Sequence, residues 1–177
     1  MRKADAEERA KKVTTVVFDV DGVLTDGGIY IDSHGEEIKR FNVQDGAGIK
    51  YLQRGGFRVA IISGRESRSV AARAEELGIV DLYQGHKEKI KAFDDLLTVH
   101  ALSPENVAYM GDDLPDLPVM RVAGLAAAVA NARYEVKAIA HYVSDVAGGQ
   151  GAAREFAEWL LMATGKWDGI MSRYSGR

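Results

Sequence analysis

Cysteine is absent from the 177 residues, which excludes disulfides and thiolate metal sites and makes a reducing cytoplasm the natural setting. Long hydrophobic runs are missing too. The stretch AGLAAAVANA, from Ala123, is the longest uncharged run of small apolar residues and falls far short of the roughly 18 residues that a spanning helix requires, so no membrane association is expected. Nor is there a strong charge of one sign. At a net charge of −3 and a pI near 5.8, the chain sets up no field that would gather nucleic acid or an anionic membrane. An anionic ligand would have to be held by local cations. The opening MRKADAEERAKK lacks the apolar core of a signal peptide and reads as an exposed charged leader over residues 1–12.

The chain is otherwise of ordinary globular composition, 46% hydrophobic and 28% charged, and its length suits one well-buried domain. Four apolar runs, TTVVFDV (14–20), RVAIIS (58–63), NVAYMG (106–111) and LAAAVA (125–130), look like parallel strands buried on both faces. Between them lie helical periods. Val70, Ala74 and Leu77 share a face ahead of Gly78, and Ile90, Phe93, Leu97 and Leu102 repeat the pattern. This alternation predicts an α/β fold with a doubly wound parallel sheet, Rossmann-like, with ligands at the carboxyl ends of the strands. The segment GGIYIDSHGEEIKRF, residues 27–41, breaks the pattern and reads as a β-hairpin insertion. The end of the chain, residues 166–177, has the glycines and polar residues of a mobile tail, although Trp167, Met171 and Tyr174 offer groups that could dock on a partner.

The first strand runs into Asp19 and Asp21, which two-residue spacing turns to the same side. Two unpaired carboxylates there would repel each other and lose solvation, so a cation or a shared proton is required. A simple turn is one reading of DVDG. A calcium loop is excluded, because Val23 and Leu24 stand where an EF-hand needs an oxygen ligand and a glycine. Phosphoryl transfer through an aspartyl-phosphate is the other reading, and it demands a hard cation, hydroxyl or amide donors and a lysine. Those parts recur in order at predicted strand or helix ends: Ser63 in IISGR, Lys89 in HKEK, and Asp112, Asp113 and Asp116 in YMGDDLPD. Each alone is ordinary, but their joint order favours the catalytic reading. The four histidines show no metal-ligand spacing, and only His86 lies near the proposed site.

These four segments resemble the signature motifs of the haloacid dehalogenase superfamily of phosphatases. The resemblance implies that Asp19 is the nucleophile, Asp21 the general acid/base, and Ser63 and Lys89 the phosphoryl-binding pair. It also implies a Mg²⁺ site formed by Asp19, Asp112 and the backbone carbonyl of Asp21, with Asp116 orienting Lys89. Neither gap between motifs has room for a cap domain, so the site is expected to be open unless a neighbouring subunit closes it.

From about Val13 to Lys166 the chain is similar to the capless 3-deoxy-D-manno-octulosonate 8-phosphate phosphatases, through FNVQDGAGIK, ISGRES, LYQGHKEK, ENVAYMGDDLPDLPVM and DVAGGQGAAREF. This resemblance implies a cytoplasmic homotetramer making a lipopolysaccharide sugar. Its hairpin would bury Ile29, Ile31, Ile38 and Phe41 at subunit contacts. It further implies that Asn42, Val43, Gln44, Asp45, Gly46, Lys50, Arg65, Arg73 and Asp113 join Asp21 and Lys89 in meeting the substrate, and that Arg154 is a candidate lid residue. Lys50, Arg65, Arg73 and Lys89 are the cations that a carboxylate and a phosphate would need. A nine-carbon ketoacid 9-phosphate is the alternative substrate. A non-catalytic module partnering a sugar-nucleotide synthetase is the alternative from another class.

Overall fold

The computed structural model describes residues 2–175; Met1 of the expected leader and residues 176 and 177 of the expected tail lie outside the described residues. Six strands form one parallel sheet: β1 Thr15–Phe18, β4 Arg58–Ile62, β5 Asp81–Tyr83, β6 Val107–Gly111, β7 Leu125–Ala128 and β8 Tyr142–Val143. Their order is β5-β4-β1-β6-β7-β8. Every residue of β1, β6 and β7 is buried, which is why these runs are continuously apolar rather than alternating. The expected doubly wound α/β fold is observed. Because β1 lies between β4 and β6, the chain departs from it in both directions, and the carboxyl ends of these central strands flank the crevice where such sheets place ligands.

The helices are α1 Arg2–Ala10, α2 Val43–Arg54, α3 Arg68–Glu76, α4 Lys89–Val99, α5 Leu117–Val122, α6 Tyr134–Ile139, α7 Ala152–Ala163 and α8 Trp167–Met171. Helices α2 and α7 approach closely, so that a Cβ on Gly48 would stand 2.7 Å from the Cα of Arg154. Only a residue without a side chain allows this approach. Strands β2 Tyr30–Ile31 and β3 Glu37–Ile38 form the expected hairpin, a separate antiparallel pair.

Three expectations need correction. The charged leader is not an exposed strand of chain: Ala6 and Ala10, one helical turn apart, are buried, and Arg9 Nη1 donates to the Gly124 carbonyl at 2.9 Å. The described part of the tail is not loose either. Ile170 is buried, and Trp167 and Tyr174 meet Tyr51 edge-on with ring centroids 6.1 and 6.0 Å away. Phe41 packs against the chain's own core instead of standing free with the hairpin isoleucines. Ile29, Ile31 and Ile38, by contrast, are 62%, 65% and 53% exposed, so they stand uncovered among the described residues.

Candidate active site

Asp19 follows β1 directly and is held there because its backbone N–H donates to Met110 of the neighbouring β6 at 3.0 Å. The chain then turns at Gly22, whose φ of +93° favours glycine, and a Cβ there would lie 2.1 Å from Asp112 Oδ2. The turn residue thus makes room for the carboxylate that follows β6. Ser63 follows β4 and is buried, its hydroxyl oxygen accepting from Arg65 N–H at 3.3 Å. Lys89 opens α4. A cavity of about 330 Å³ at these strand ends is lined by Asp19, Asp21, Ser63, Lys89, Asp112 and Asp113, with Arg65 and Asp116 beside them. All the residues expected to perform the chemistry meet in one place.

The electrostatics centre on Lys89. Its buried ammonium lies 2.7 Å from Asp19 Oδ1 and donates to Asp116 Oδ1 at 2.7 Å. Burial works against its charge, yet the two carboxylates outweigh that and hold its pKa above the ordinary lysine value. One ammonium serves two carboxylates, so negative charge is left over. Burial first, and then the Asp116 charge, push Asp19 up to about 7 despite Lys89. Burial and the Asp19 and Asp116 charges push Asp112 up to about 8.

Asp19, Asp112 and Asp116 each offer an oxygen within 4.8 Å of the others, and Asp112 Oδ1 is buried without a hydrogen-bond partner. The three are not equivalent. Asp116 Oδ1 accepts from Lys89 and from the Tyr109 hydroxyl at 2.7 Å, and its Oδ2 accepts from the backbone N–H groups of Asp112 at 2.9 Å and Asp113 at 3.2 Å. Asp116 is therefore occupied, while Asp19 and Asp112 carry the surplus charge. This all-oxygen donor set, crowded with anions and holding an unpartnered buried oxygen, fits a hard divalent cation.

Sequence reasoning missed four side chains here. Lys39, on the hairpin, donates to Asp21 Oδ1 at 2.5 Å and lies 2.8 Å from Glu37 Oε1, with only 4% of its side chain exposed. Glu37 in turn pairs with Arg65. Lys87 lines the cavity, and the buried Tyr109 hydroxyl anchors Asp116. The signal for Lys39 and Glu37 was their two-residue spacing in EEIKRF, which turns them to one side and Ile38 to the other.

The expected substrate residues divide. Arg65 and Asp113 line the catalytic cavity. Val43 and Arg73 line a separate depression of about 370 Å³, and Gln44 and Arg154 line a third of about 330 Å³. Asn42 caps α2 by accepting from Gln44 N–H at 2.8 Å. Buried Asp45 accepts from the N–H groups of Gly151 at 3.2 Å and Arg154 at 3.1 Å at the start of α7. Gly46 lies against the Arg73 guanidinium, and the Lys50 ammonium donates to the Leu77 carbonyl at 2.6 Å, away from the cavity. Within one chain, then, Asn42, Asp45 and Lys50 have structural partners.

Comparison with known proteins agrees with this geometry. Residues 74–156 match the family described as haloacid dehalogenase-like hydrolase, a span that includes Lys89 and Asp112. The chain is 50% identical over 165 residues to a 3-deoxy-D-manno-octulosonate 8-phosphate phosphatase of Escherichia coli, covering 93% of this chain and 88% of that protein. The crystal structure of the phosphatase of that name from Yersinia pestis superposes with a TM-score of 0.91 at 46% identity, covering 93% of this chain and 89% of that one. The Moraxella catarrhalis protein of the same name, solved with a magnesium ion, a phosphate ion and a KDO molecule, gives a TM-score of 0.94 at 39% identity, covering 96% and 98%.

Proposed function

The chain belongs to the 3-deoxy-D-manno-octulosonate 8-phosphate phosphatase family of haloacid dehalogenase-like hydrolases, and on that premise we propose that it hydrolyses this sugar-acid 8-phosphate to the free sugar acid and phosphate. The setting we propose is the cytoplasm, in the supply of a lipopolysaccharide sugar. The observation that carries the reading is Lys89 bridging Asp19 and Asp116 in the same cavity where Asp112 keeps an unpartnered buried oxygen.

Asp19 attacks phosphorus through one carboxylate oxygen, and the bond from phosphorus to the sugar oxygen breaks. Asp21 gives its proton to the departing alkoxide. The resulting aspartyl-phosphate on Asp19 is then attacked by water, whose proton passes to Asp21, and phosphate leaves with Asp19 restored. Ser63 and Lys89 hold the non-bridging oxygens throughout, and Asp116 keeps Lys89 aimed at Asp19. Mg²⁺, held by Asp19, Asp112 and the Asp21 carbonyl, supplies charge neutralisation for the transferring phosphoryl group. Arg65 and Asp113 at the cavity's edge are the substrate contacts that one chain provides. The others, Asn42 to Gly46, Lys50 and Arg73, are proposed to act with a neighbouring subunit in a homotetramer built on the exposed hairpin isoleucines.

Phosphate release from the eight-carbon 8-phosphate and from a nine-carbon ketoacid 9-phosphate, each with Mg²⁺ and with chelator, tests the substrate. Preferred turnover of the eight-carbon compound, lost on chelation, is expected; preference for the nine-carbon compound would overturn it. Full activity in Asp19→Asn would overturn the mechanism.

A further inference from the structure

The hairpin does more than protrude. Residues 37, 39 and 41 turn inward, so that Lys39 reaches Asp21 and Glu37 reaches Lys39 and Arg65, while Ile38 between them stays exposed. A long flexible ammonium loses rotamer freedom and solvation when buried, and a two-stranded hairpin supplies little of its own stability to offset this. Such a lysine is expected only where its charge meets something specific. Here it meets Asp21 Oδ1, at 2.5 Å.

The arrangement is directional. Lys39 is itself fixed by Glu37, 2.8 Å away, and Glu37 is fixed on its other oxygen by Arg65. One oxygen of Asp21 is thus gripped. The other, Oδ2, has Arg65 Nε no nearer than 3.9 Å, beyond hydrogen-bonding range. From this geometry we propose that Lys39 is a positioning residue for leaving-group protonation: it locks the Asp21 carboxyl so that Oδ2 is the atom that carries the proton to the departing oxygen. The inference rests on the role assigned to Asp21 above. In the step concerned, the bond from phosphorus to the leaving oxygen breaks, and the proton on Oδ2 moves to that oxygen. Lys39 gains and loses nothing.

Substituted phenyl phosphates make the test, because their leaving oxygens differ in basicity at nearly constant size and contain no sugar for Lys39 to touch. Their kcat/KM reports events up to departure of the phenol, before the intermediate common to all of them. Without a correctly placed proton, basic leaving groups suffer most. In Lys39→Met, kcat/KM for phenyl phosphate is expected to fall about tenfold more than for 4-nitrophenyl phosphate, in the same sense as in Asp21→Asn, and Lys39→Arg is expected to recover most of the difference. If Lys39→Met lowers the whole series uniformly, or not at all, while Asp21→Asn is selective, Lys39 is only a hairpin anchor and the proposal is overturned. If Asp21→Asn is itself unselective, the role of Asp21 fails and the proposal goes with it. Lys39→Arg, which keeps the anchoring charge, decides the matter should the methionine variant fold poorly.

Discussion

Each oxygen of Asp116 accepts two hydrogen bonds, and the one from Tyr109 comes from a fully buried phenol. Burial, together with the neighbouring carboxylates, pushes that phenol well above its ordinary pKa, so it stays a donor at every working pH. Removing it leaves Lys89 as the only partner of Asp116 Oδ1 among the described residues. Tyr109→Phe is therefore expected to lower stability by about 1 to 3 kcal/mol, read by urea unfolding, and to reduce kcat on the 8-phosphate more than it raises KM. Unchanged stability and kcat would show that the phenol does not support Asp116. At this scale the sequence was legible where function follows directly from strand ends, as with Asp19, Ser63 and Asp112. Tyr109 was not legible, because inside the run NVAYMG a tyrosine looks like any apolar core residue. Its partner is seven residues away, and only the turn at Leu114–Asp116 brings Asp116 back under it.

Helix α7 is the element that the sequence hid best. In the sequence it shows only through the motif DVAGGQGAAREF and Arg154, yet it packs closely on α2, and its first turn is capped by Asp45 from that helix. Burial raises the Asp45 pKa, while the backbone N–H groups of α7 work in the opposite direction. Asp45→Ala is expected to cost about 1 kcal/mol or more of stability, as the loss of a helix cap does, and a thermal melt reads it. A large rise in KM with unchanged melting would show that Asp45 serves the substrate site alone and does not cap α7. Strands β1, β4, β6 and β7 were legible because, past the exposed Arg58 that opens β4, every residue is buried and the runs are almost wholly apolar. The two-residue β8 was not, since two residues cannot display a period and only pairing with β7 defines them as a strand.

For the whole molecule, two features demand something from outside the chain: uncovered isoleucines on the hairpin and surplus anions in the cavity. The first is expected to be met by other copies of the chain, so Ile31→Asp should shift sedimentation towards a smaller species, and an unchanged sedimentation coefficient would remove the hairpin from the assembly. The second sets a pH dependence whose sign is fixed. Asp19 at about 7 and Asp112 at about 8 both lie above their ordinary 3.8, so the ion-free folded protein binds protons more tightly than the unfolded chain does. Their contribution to stability is present at low pH and is lost as the pH rises towards those values. A divalent cation binds the ionised pair, so its uptake displaces protons across that range and its affinity weakens as the pH falls. The rise in melting temperature on adding Mg²⁺ is accordingly expected to be clearly larger at about pH 9 than at about pH 6, with chelator abolishing it at both. The larger rise at the lower pH would mean that the cation is held by groups other than Asp19 and Asp112.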